Sequence, residues 1–272
     1  LSGMPGGTYP FAVAFKGDDV AYVGSQRDRE LVVLNVRGDG LSVSGRIPVR
    51  GQPTKMLLNQ DRSRLYVASD NSDTVTVVDT AGQRVVEDIP VLAPRAVFRQ
   101  PGRFKGANPN NLALSPDQGT LFVTNGGTNS LAVVQLAQPK GHSHEHPKSD
   151  KHESDKHEHD DEHETTGKSR VIGLIPTGWY PSAVSVSHDG AMLYVVNGKG
   201  NAGPNSGACR NTLSIASGSL NACNGRNQYV WQLHKAGFLA MPMPTAKDLA
   251  ALTWQVAYNN NFPTVKGHEQ AK

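Results

Sequence analysis

Short runs of apolar residues alternate with turn-forming residues along most of this 272-residue chain. In residues 108–136, an apolar run at 112–114 is followed by a Ser-Pro-Asp-Gln-Gly turn sequence. A second run at 121–125 then leads through a Gly-Gly pair to a third run at 130–136. Such β-prone runs, separated by Pro, Asp and Gly, are typical of antiparallel strands joined by tight turns. The pattern therefore predicts an all-β protein.

Three further segments repeat this unit, and all four copies share two features. A proline precedes the first predicted strand, and an aromatic residue follows 12 or 13 positions later in the second strand. The prolines and their aromatic partners are Pro10 with Tyr22, Pro53 with Tyr66, Pro109 with Phe122, and Pro181 with Tyr194. Because four copies keep the same internal order, the chain is predicted to contain an internal repeat.

An Ile-Pro pair recurs at 47–48, 89–90 and 175–176. We interpret it as part of the fourth strand of each unit, which leads across to the proline that opens the next unit. The first two repeat prolines are 43 positions apart, within the length of about 40–45 residues for a four-stranded propeller blade. The later spacings of 56 and 72 residues contain insertions, which belong in loops. The predicted fold is a β-propeller of four-stranded antiparallel blades, four of them visible.

One short helix is predicted near the C-terminal end. Thr245 can act as its N-cap, and Asp248 follows three residues later, as in a capping box. Apolar residues then recur at helical spacing from Leu249 to Val256. The helix is predicted over about residues 246–258, and we expect its apolar face to dock against the propeller or against a further domain.

Composition and charge narrow the function classes. Gly (28) and Pro (17) are abundant and aromatics make up 6%, which suits a turn-rich all-β protein. No apolar run is long enough to span a membrane. The net charge of +3 divides into −5 for residues 142–163 and +8 elsewhere. Because the basic residues elsewhere are scattered and not interleaved with aromatics, the pattern argues against nucleic-acid binding.

The segment 142–163 holds seven of the ten histidines and almost no apolar residue. Such a composition does not offset the entropy of ordering, so a disordered loop is predicted. Imidazole binds Zn, Ni or Cu, and neighbouring carboxylates supply further ligands. The segment is either a weak, multi-site metal-binding tract or a solvated tract without a metal; we expect no required cofactor and no catalytic metal. The candidate ligands are His142, His144, His146, His152, His157, His159 and His163.

Cys209 and Cys223 lie within the Gly/Asn/Ser-rich stretch 198–227. Two cysteines in one loop suggest a disulfide, which fits an exported protein and would contribute about 3 kcal/mol in the chain-entropy model. The alternatives are two free thiols in a cytosolic loop or, with less support from the spacing, a zinc site. No signal peptide is visible in the first residues, and the chain begins with Leu; we expect a mature product or a piece of a longer protein.

The second strands LYVAS (65–69), LFVTN (121–125) and LYVVN (193–197) resemble the YVTN-type repeats of YncE-like seven-bladed β-propellers. The tail, residues 227–262, resembles the junction in bacterial proteins that fuse such a propeller to a phosphoesterase of the alkaline-phosphatase superfamily. The resemblance covers nearly the whole chain. It implies a periplasmic or secreted protein and a ring of about seven blades, of which this chain supplies four.

The resemblance also suggests how the chain is organised. Residues 1–240 are predicted to form propeller blades, interrupted by the His-rich insert (140–169) and the Gly/Asn-rich loop (198–227). Residues 241–272 are predicted to be a helical linker toward a further domain. We expect either that the chain is a fragment or that a completing chain closes the ring, because exposed blade edges invite pairing. A four-bladed ring is a further, less favoured alternative.

The sequence contains no convincing catalytic constellation. His188 lies between a serine and an aspartate, but at the position of a turn in the repeat, so it is interpreted as a turn residue. Residues 198–203, GKGNAG, do not match a phosphate-binding loop. The aspartates at this turn, Asp61, Asp117 and Asp189, are predicted to hold it by hydrogen bonds to the backbone.

Three hypotheses for function follow from these patterns. The first is a non-enzymatic binding or scaffold module with an unknown protein or small ligand at the propeller face. The second is divalent-metal binding through the His-rich segment. The third is the non-catalytic part of a phosphoesterase whose catalytic residues lie outside this chain.

Overall fold

Within the residues described by the computed structural model (9–94, 97, 106–137, 167–199 and 236–262), fifteen strands form four antiparallel sheets. Three sheets have four strands and one has three, and each strand pairs with its neighbours in sequence. The first sheet contains β1 (Pro10–Lys16), β2 (Val20–Ser25), β3 (Glu30–Arg37) and β4 (Gly40–Pro48). The second contains β5 (Gln52–Leu58), β6 (Arg64–Asp70), β7 (Thr74–Asp79) and β8 (Arg84–Pro90).

The third and fourth sheets follow the same order. The third contains β9 (Pro109–Leu114), β10 (Thr120–Asn125), β11 (Ser130–Gln135) and β12 (Arg170–Pro176). The fourth contains β13 (Pro181–Val186), β14 (Met192–Asn197) and β15 (Gly237–Pro242). The first strands of successive sheets contact one another, β1 with β5, β5 with β9 and β9 with β13. The sheets are therefore the blades of a β-propeller, with their first strands innermost, and the predicted fold is confirmed.

The aromatic residue of each of the first three repeats packs against the following blade. Tyr22 is fully buried in a cluster with Met56 and Leu65 of blade 2. Tyr66 packs in the same way against Leu121 of blade 3, and Phe122 against blade 4. This forward contact explains why an aromatic recurs at one place in the repeat, since a large side chain is needed to fill the wedge between two blades.

The Ile-Pro element ends the fourth strand of a blade, as predicted: β4, β8 and β12 end at Pro48, Pro90 and Pro176. Proline is tolerated there because an outer strand has one side without a partner strand, so no ladder hydrogen bond is lost. In each of these strands the isoleucine is buried in a cluster between blades.

The turn aspartates hold their turns by accepting hydrogen bonds, as predicted. Asp117 accepts from the backbone N–H of Gly119 at 3.0 Å and from the Ser115 hydroxyl at 2.5 Å. Asp189 makes the equivalent bonds in blade 4, and Asp61 accepts from the N–H of Ser63 at 2.9 Å. In all three turns these hydrogen bonds lower the pKa of the aspartate below its usual value.

The predicted helix spans Ala246–Asn259 and is named α1. Thr245 caps it by accepting from the N–H of Asp248 at 3.2 Å. The C-terminal end is a Schellman motif, with Asn261 left-handed (φ 51°) and the N–H of Phe262 donating to the carbonyl of Ala257 at 2.9 Å. This motif explains why the helix stops at the run of asparagines.

Helix α1 packs against β12, the outer strand of blade 3. The buried hydroxyl of Thr253 accepts from the backbone N–H of Leu174 at 2.9 Å and donates to the carbonyl of Leu249 at 2.6 Å. A Cβ at Gly173 would overlap the side chain of Leu249, so glycine allows the helix to approach the strand closely. The helix thereby covers the outer edge of β12, which would otherwise be open to pairing with another strand.

Among the described residues, no helix is both long and apolar enough to cross a membrane.

Candidate functional site

The residues predicted to bind metal or to form a disulfide lie outside the described residues. This applies to the seven histidines of segment 142–163 and to Cys209 and Cys223, so the metal-binding tract and the disulfide remain predictions. Within the described part of the chain, no group of three or more His, Cys, Asp or Glu side chains is arranged to hold a metal ion. His188 lies in the turn after β13, where the Ser187 hydroxyl donates to Asp189 at 2.6 Å.

Several hydrogen-bonded polar residues lie at the end of the described blades where the repeat prolines stand, at the first or second residue of each first strand. We call this the proline end. Arg29, Asp73 and Asn129 occupy equivalent positions there, directly before the third strand of blades 1, 2 and 3, and all three are left-handed (φ 48–56°). The carbonyl of each accepts from the backbone N–H of the residue that directly follows the Ile-Pro pair of the same blade, at 2.8–3.0 Å. These bonds tie the segment that leaves each blade to that blade's own hairpin.

The side chains at two of these positions also hold the segment entering the next blade. The buried carboxylate of Asp73 accepts from the backbone N–H groups of Gly106 at 2.9 Å and Ala107 at 2.8 Å, just before β9. Asn129 Oδ1 accepts from the N–H of Tyr180, just before β13, at 2.9 Å. Polar residues in these hairpins therefore fix the relative position of successive blades at the proline end.

The asparagine that closes the LFVTN and LYVVN motifs is buried at this end. Asn125 and Asn197 are 0% and 3% exposed, and the equivalent residues of blades 1 and 2, Ser25 and Ser69, are also buried. Asn125 Nδ2 donates to the carbonyl of Val91 at 2.7 Å, on the segment that arrives from blade 2. Asn125 thus ties blade 3 to the chain segment that precedes it.

A cleft of about 590 Å³ lies at the proline end between blade 3, the start of blade 4 and the C-terminal end of α1. Its lining consists of amide, hydroxyl and aromatic side chains, and we call it the amide cleft. The lining residues are Thr128, Asn129, Thr177, Trp179, Tyr258, Asn259, Asn260 and Asn261. None of these described side chains is charged at neutral pH, so this part of the lining offers hydrogen bonds and aromatic surface without a counter-ion.

Hydrogen bonds fix the walls of the amide cleft to one another. Asn260 Nδ2 donates to the carbonyl of Thr128 at 3.0 Å, which joins the helix end to the blade 3 hairpin. The backbone N–H of Thr177 donates to the carbonyl of Asn129 at 3.0 Å, which joins the hairpin to the segment leaving β12. The cleft is therefore built from three chain segments held in fixed positions.

Three residues at or beside the amide cleft have left-handed backbone: Asn129 (φ 48°), Tyr180 (φ 55°) and Asn261 (φ 51°). Asparagine adopts this conformation readily, but a bulky residue before proline does so only when its surroundings hold it there. The ring of Tyr180 lies over Gly126, where an added Cβ would come within 3.0 Å of it. Tyr9 has the same conformation before Pro10 (φ 57°), so the left-handed residue before the proline is a feature of the repeat and not of this cleft alone.

Two sheet faces at the ends of the described arc are apolar and exposed. In blade 4, Tyr194 occupies the position of Tyr22, Tyr66 and Phe122, but no described blade follows it. Its ring stacks on Phe238, with centroids 6.1 Å apart, and Phe238 is 69% exposed. We call this surface the forward face.

The second exposed apolar face lies on blade 1. The equivalent face of blades 2, 3 and 4 packs against the aromatic residue of the preceding blade. Phe11, Val13 and Phe15 alternate along β1 and are 64%, 54% and 60% exposed. By strand pairing, Val13 and Phe15 correspond to Met56 and Leu58 of blade 2, which pack in the cluster around Tyr22. We call this surface the receiving face.

Comparison with known proteins supports the fold. No family model matches the chain, and no curated protein matches it. Among solved structures, it is similar to a Bacteroides fragilis protein with the provisional name 6-phosphogluconolactonase, at 15% identity and a TM-score of 0.50. The match covers 68% of this chain and 47% of the other. At this identity the likeness concerns the fold alone, which is propeller-like.

Two further structures match at similar coverage. One is the hydrazine synthase of Kuenenia stuttgartiensis, at 21% identity and a TM-score of 0.48, covering 73% of this chain and 45% of that one. The other is a Bacteroides uniformis protein with the same provisional lactonase name, at 13% identity and a TM-score of 0.49, covering 68% and 46%. The chain therefore spans a little under half of the length of these three solved structures.

Sequence reasoning did not find the amide cleft. Asn129, Trp179 and Asn260 are separated by 50 and 81 positions, and only the blade arrangement and the docked helix bring their segments together. One signal was present in the sequence. Three consecutive asparagines end the helix, and a Trp-Tyr pair directly precedes Pro181 of β13. Both motifs place side chains suited to ligand contacts at the ends of elements.

Proposed function

We propose that this chain is a non-enzymatic β-propeller module for binding and scaffolding, and that its receiving and forward faces dock further blades of the same repeat. One observation carries the proposal. The position of Tyr194 is filled in the three preceding repeats by an aromatic that is buried against a following blade. The forward face therefore has the shape and chemistry of a blade that is followed by another.

The energetics favour covering these faces. Full burial of a Phe or Val side chain is worth about 1.5–3 kcal/mol relative to exposure, and Phe11, Val13 and Phe15 lie together on one strand. Contiguous apolar surface of this kind marks interaction sites in soluble proteins. The free energy gained by burying these side chains must exceed the cost of association. This condition is easier to fulfil when both faces of one chain are covered.

The resemblance to YVTN-type repeats supports the same proposal. A ring of about seven blades needs about three beyond the four described, and a completing chain or another segment of the same polypeptide is the proposed source. The resemblance of the tail to a phosphoesterase junction supports a neighbouring phosphoesterase domain as a partner. A periplasmic or secreted location belongs to this proposal.

Self-association tests whether the two faces dock blades. When no other blades are supplied, the forward face of one copy should pair with the receiving face of another, and sedimentation velocity should show association that rises with concentration. Phe15→Arg on the receiving face and Tyr194→Arg on the forward face should each weaken it at least tenfold. Val86→Arg, at an exposed apolar position on outer strand β8, is the matched control and should leave association unchanged. A wild-type chain that stays monomeric at high concentration contradicts the proposal.

A second candidate function is divalent-metal binding by the His-rich segment, favoured by seven histidines within residues 142–163. Calorimetric titration with Zn²⁺ or Ni²⁺ should show weak binding to several sites, and deletion of 142–163 should abolish it. His188→Ala, which changes a histidine outside the segment, is the control and should leave metal binding unchanged. Equal metal uptake with and without the segment would eliminate this function.

Hydrolysis is the alternative class. The provisional name of the Bacteroides fragilis neighbour suggests sugar-lactone hydrolysis, and the tail resemblance suggests phosphoester hydrolysis by residues outside this chain. The contacts of Ser187 support the non-enzymatic proposal, because its hydroxyl donates to Asp189 within a turn and not to His188. The repeat explains this arrangement, since Ser115 and Asp117 make the same bond in blade 3.

A further inference from the structure

The amide cleft combines exposed aromatic rings with unused amide groups. Trp179 is 46% exposed and Tyr258 is 63% exposed, and both line the cleft. The single hydrogen bond of the Asn129 side chain uses Oδ1, and that of Asn259 also uses Oδ1, accepted from Gln255. Neither Nδ2 group donates to another described residue, so within the described part of the chain each can donate to a ligand.

We infer that the amide cleft binds a neutral, polyhydroxylated ring ligand, that is, a sugar. The inference rests on the proposed role of the chain as a binding module and adds the chemical class of its ligand. Nothing in the His-rich segment or in the blade faces is needed for it.

Hydroxyl groups and amide groups complement each other. A sugar hydroxyl both donates and accepts, and an asparagine side chain carries one acceptor and two donor positions. Four asparagines and two threonines line the cleft. The Thr128 and Thr177 hydroxyls and the Asn260 Nδ2 group take part in hydrogen bonds within the protein, so the partners for ligand hydroxyls are chiefly the side chains of Asn129, Asn259 and Asn261. Buried polar groups of the ligand must find such partners, because each one left unpaired lowers affinity.

The aromatic lining suits the remaining surface of a sugar. The faces of a pyranose ring carry C–H groups, which pack favourably on the electron-rich face of an aromatic ring. Trp179 offers the largest such surface in the cleft, and its indole N–H can donate as well. The cleft volume of about 590 Å³ lies within the range of about 300–1,000 Å³ that is usual for small-molecule sites.

The electrostatics of the cleft argue against an anionic ligand. One wall is the C-terminal end of α1, which ends at Asn259. The carbonyl end of a helix carries partial negative charge and disfavours phosphate or carboxylate groups. An organic cation would be attracted to the helix end and to the rings, but the lining contains no carboxylate to balance its charge.

The cleft is also preformed, which lowers the cost of binding. Its three segments are joined by the bonds from Asn260 to Thr128 and from Thr177 to Asn129, so little chain entropy is lost when a ligand enters. The left-handed residues Asn129 and Asn261 are already fixed in the backbone conformation that shapes the walls.

Titration with a defined panel tests the inference. The probes are glucose, galactose, mannose, N-acetylglucosamine and their disaccharides, with tetramethylammonium as the cationic alternative, and binding is measured by saturation-transfer NMR and calorimetry on the full chain. At least one saccharide should bind saturably. Trp179→Ala should weaken binding at least tenfold, and Trp179→Phe should retain part of it. Tyr9→Ala, at an exposed aromatic before β1 and outside the cleft, should leave binding unchanged.

Three results would overturn the inference: no saccharide of the panel binds, Trp179→Ala binds as tightly as the wild type, or tetramethylammonium binds in place of the saccharides. The Phe15→Arg variant separates this inference from the assembly proposal. Its amide cleft lies in blades 3 and 4, far along the chain from β1, so it should bind the saccharide even though it no longer associates. Loss of saccharide binding with intact association would reject the cleft ligand alone.

Discussion

Phe122 and Tyr194 occupy equivalent positions in consecutive repeats, but only Phe122 is covered by a following blade. Phe122 is 2% exposed in the cluster between blades 3 and 4, so Phe122→Ala should lower the free energy of unfolding by about 3–5 kcal/mol. The ring of Tyr194 contacts Phe238 on its own blade, an aromatic pair worth roughly 0.5–1.5 kcal/mol. Because the Tyr194 ring is also half-buried, Tyr194→Ala should cost about 1.5–3 kcal/mol, less than Phe122→Ala.

The assay is urea-induced unfolding followed by far-UV circular dichroism, at a protein concentration low enough to keep the chain monomeric. Linear extrapolation gives the free energy of unfolding of each variant, and an unchanged slope shows that the variants differ in stability and not in the surface that they expose. Equal destabilisation by the two substitutions would refute the reasoning, because it would mean that Tyr194 is already covered in the monomer.

Three further predictions concern the helix, pH and catalysis. Thr253→Val should lower the free energy of unfolding by about 1–3 kcal/mol, because the N–H of Leu174 loses its buried acceptor. The control is Thr245→Val, which removes the N-capping hydroxyl at an exposed site and should lower the free energy of unfolding by less in the same urea assay. Burial and the charge of Asp79 raise the pKa of Tyr22 above its usual value of 10.0. The stability that the protonated Tyr22 hydroxyl contributes is therefore complete below pH 10 and is lost as pH rises through the folded-state pKa. Alkaline unfolding followed by circular dichroism should therefore shift to higher pH in Tyr22→Phe, and an unshifted curve would contradict this. Purified chain should turn over neither p-nitrophenyl phosphate nor 6-phosphogluconolactone, and turnover that survives repurification would show that it is an enzyme.

The blade repeat could be predicted from the sequence because its determinants are local. The proline that opens each unit, the Asp-Gly-type turn and the aromatic of the second strand all lie within about 15 residues of one another, and each acts through a nearby backbone conformation or a single wedge between blades. The helix was also predicted, since Thr245 and Asp248 cap it locally.

The candidate site could not be predicted, because its parts meet only in three dimensions. Thr253 does not differ from other threonines in the sequence, yet it hydrogen-bonds to β12, 79 positions away. Asn129 shapes the amide cleft because its carbonyl and its side chain accept from Thr177 and Tyr180, at the two ends of the connector between β12 and β13. The receiving face was hidden for another reason: Phe11, Val13 and Phe15 have the alternating pattern of any strand, and only the packing of Ala12 and Ala14 toward blade 2 shows which side remains open.

In the proposed assembly, the two end faces are the two halves of one blade interface. The most direct measurement mixes equal amounts of the Phe15→Arg and Tyr194→Arg variants and follows association by sedimentation velocity. Each variant alone lacks one face, but the mixture contains one intact pairing, between Tyr194 of the first variant and Phe15 of the second. The account predicts that each variant alone is monomeric and that the mixture forms a dimer. A mixture that stays monomeric under conditions in which the wild type associates would contradict it.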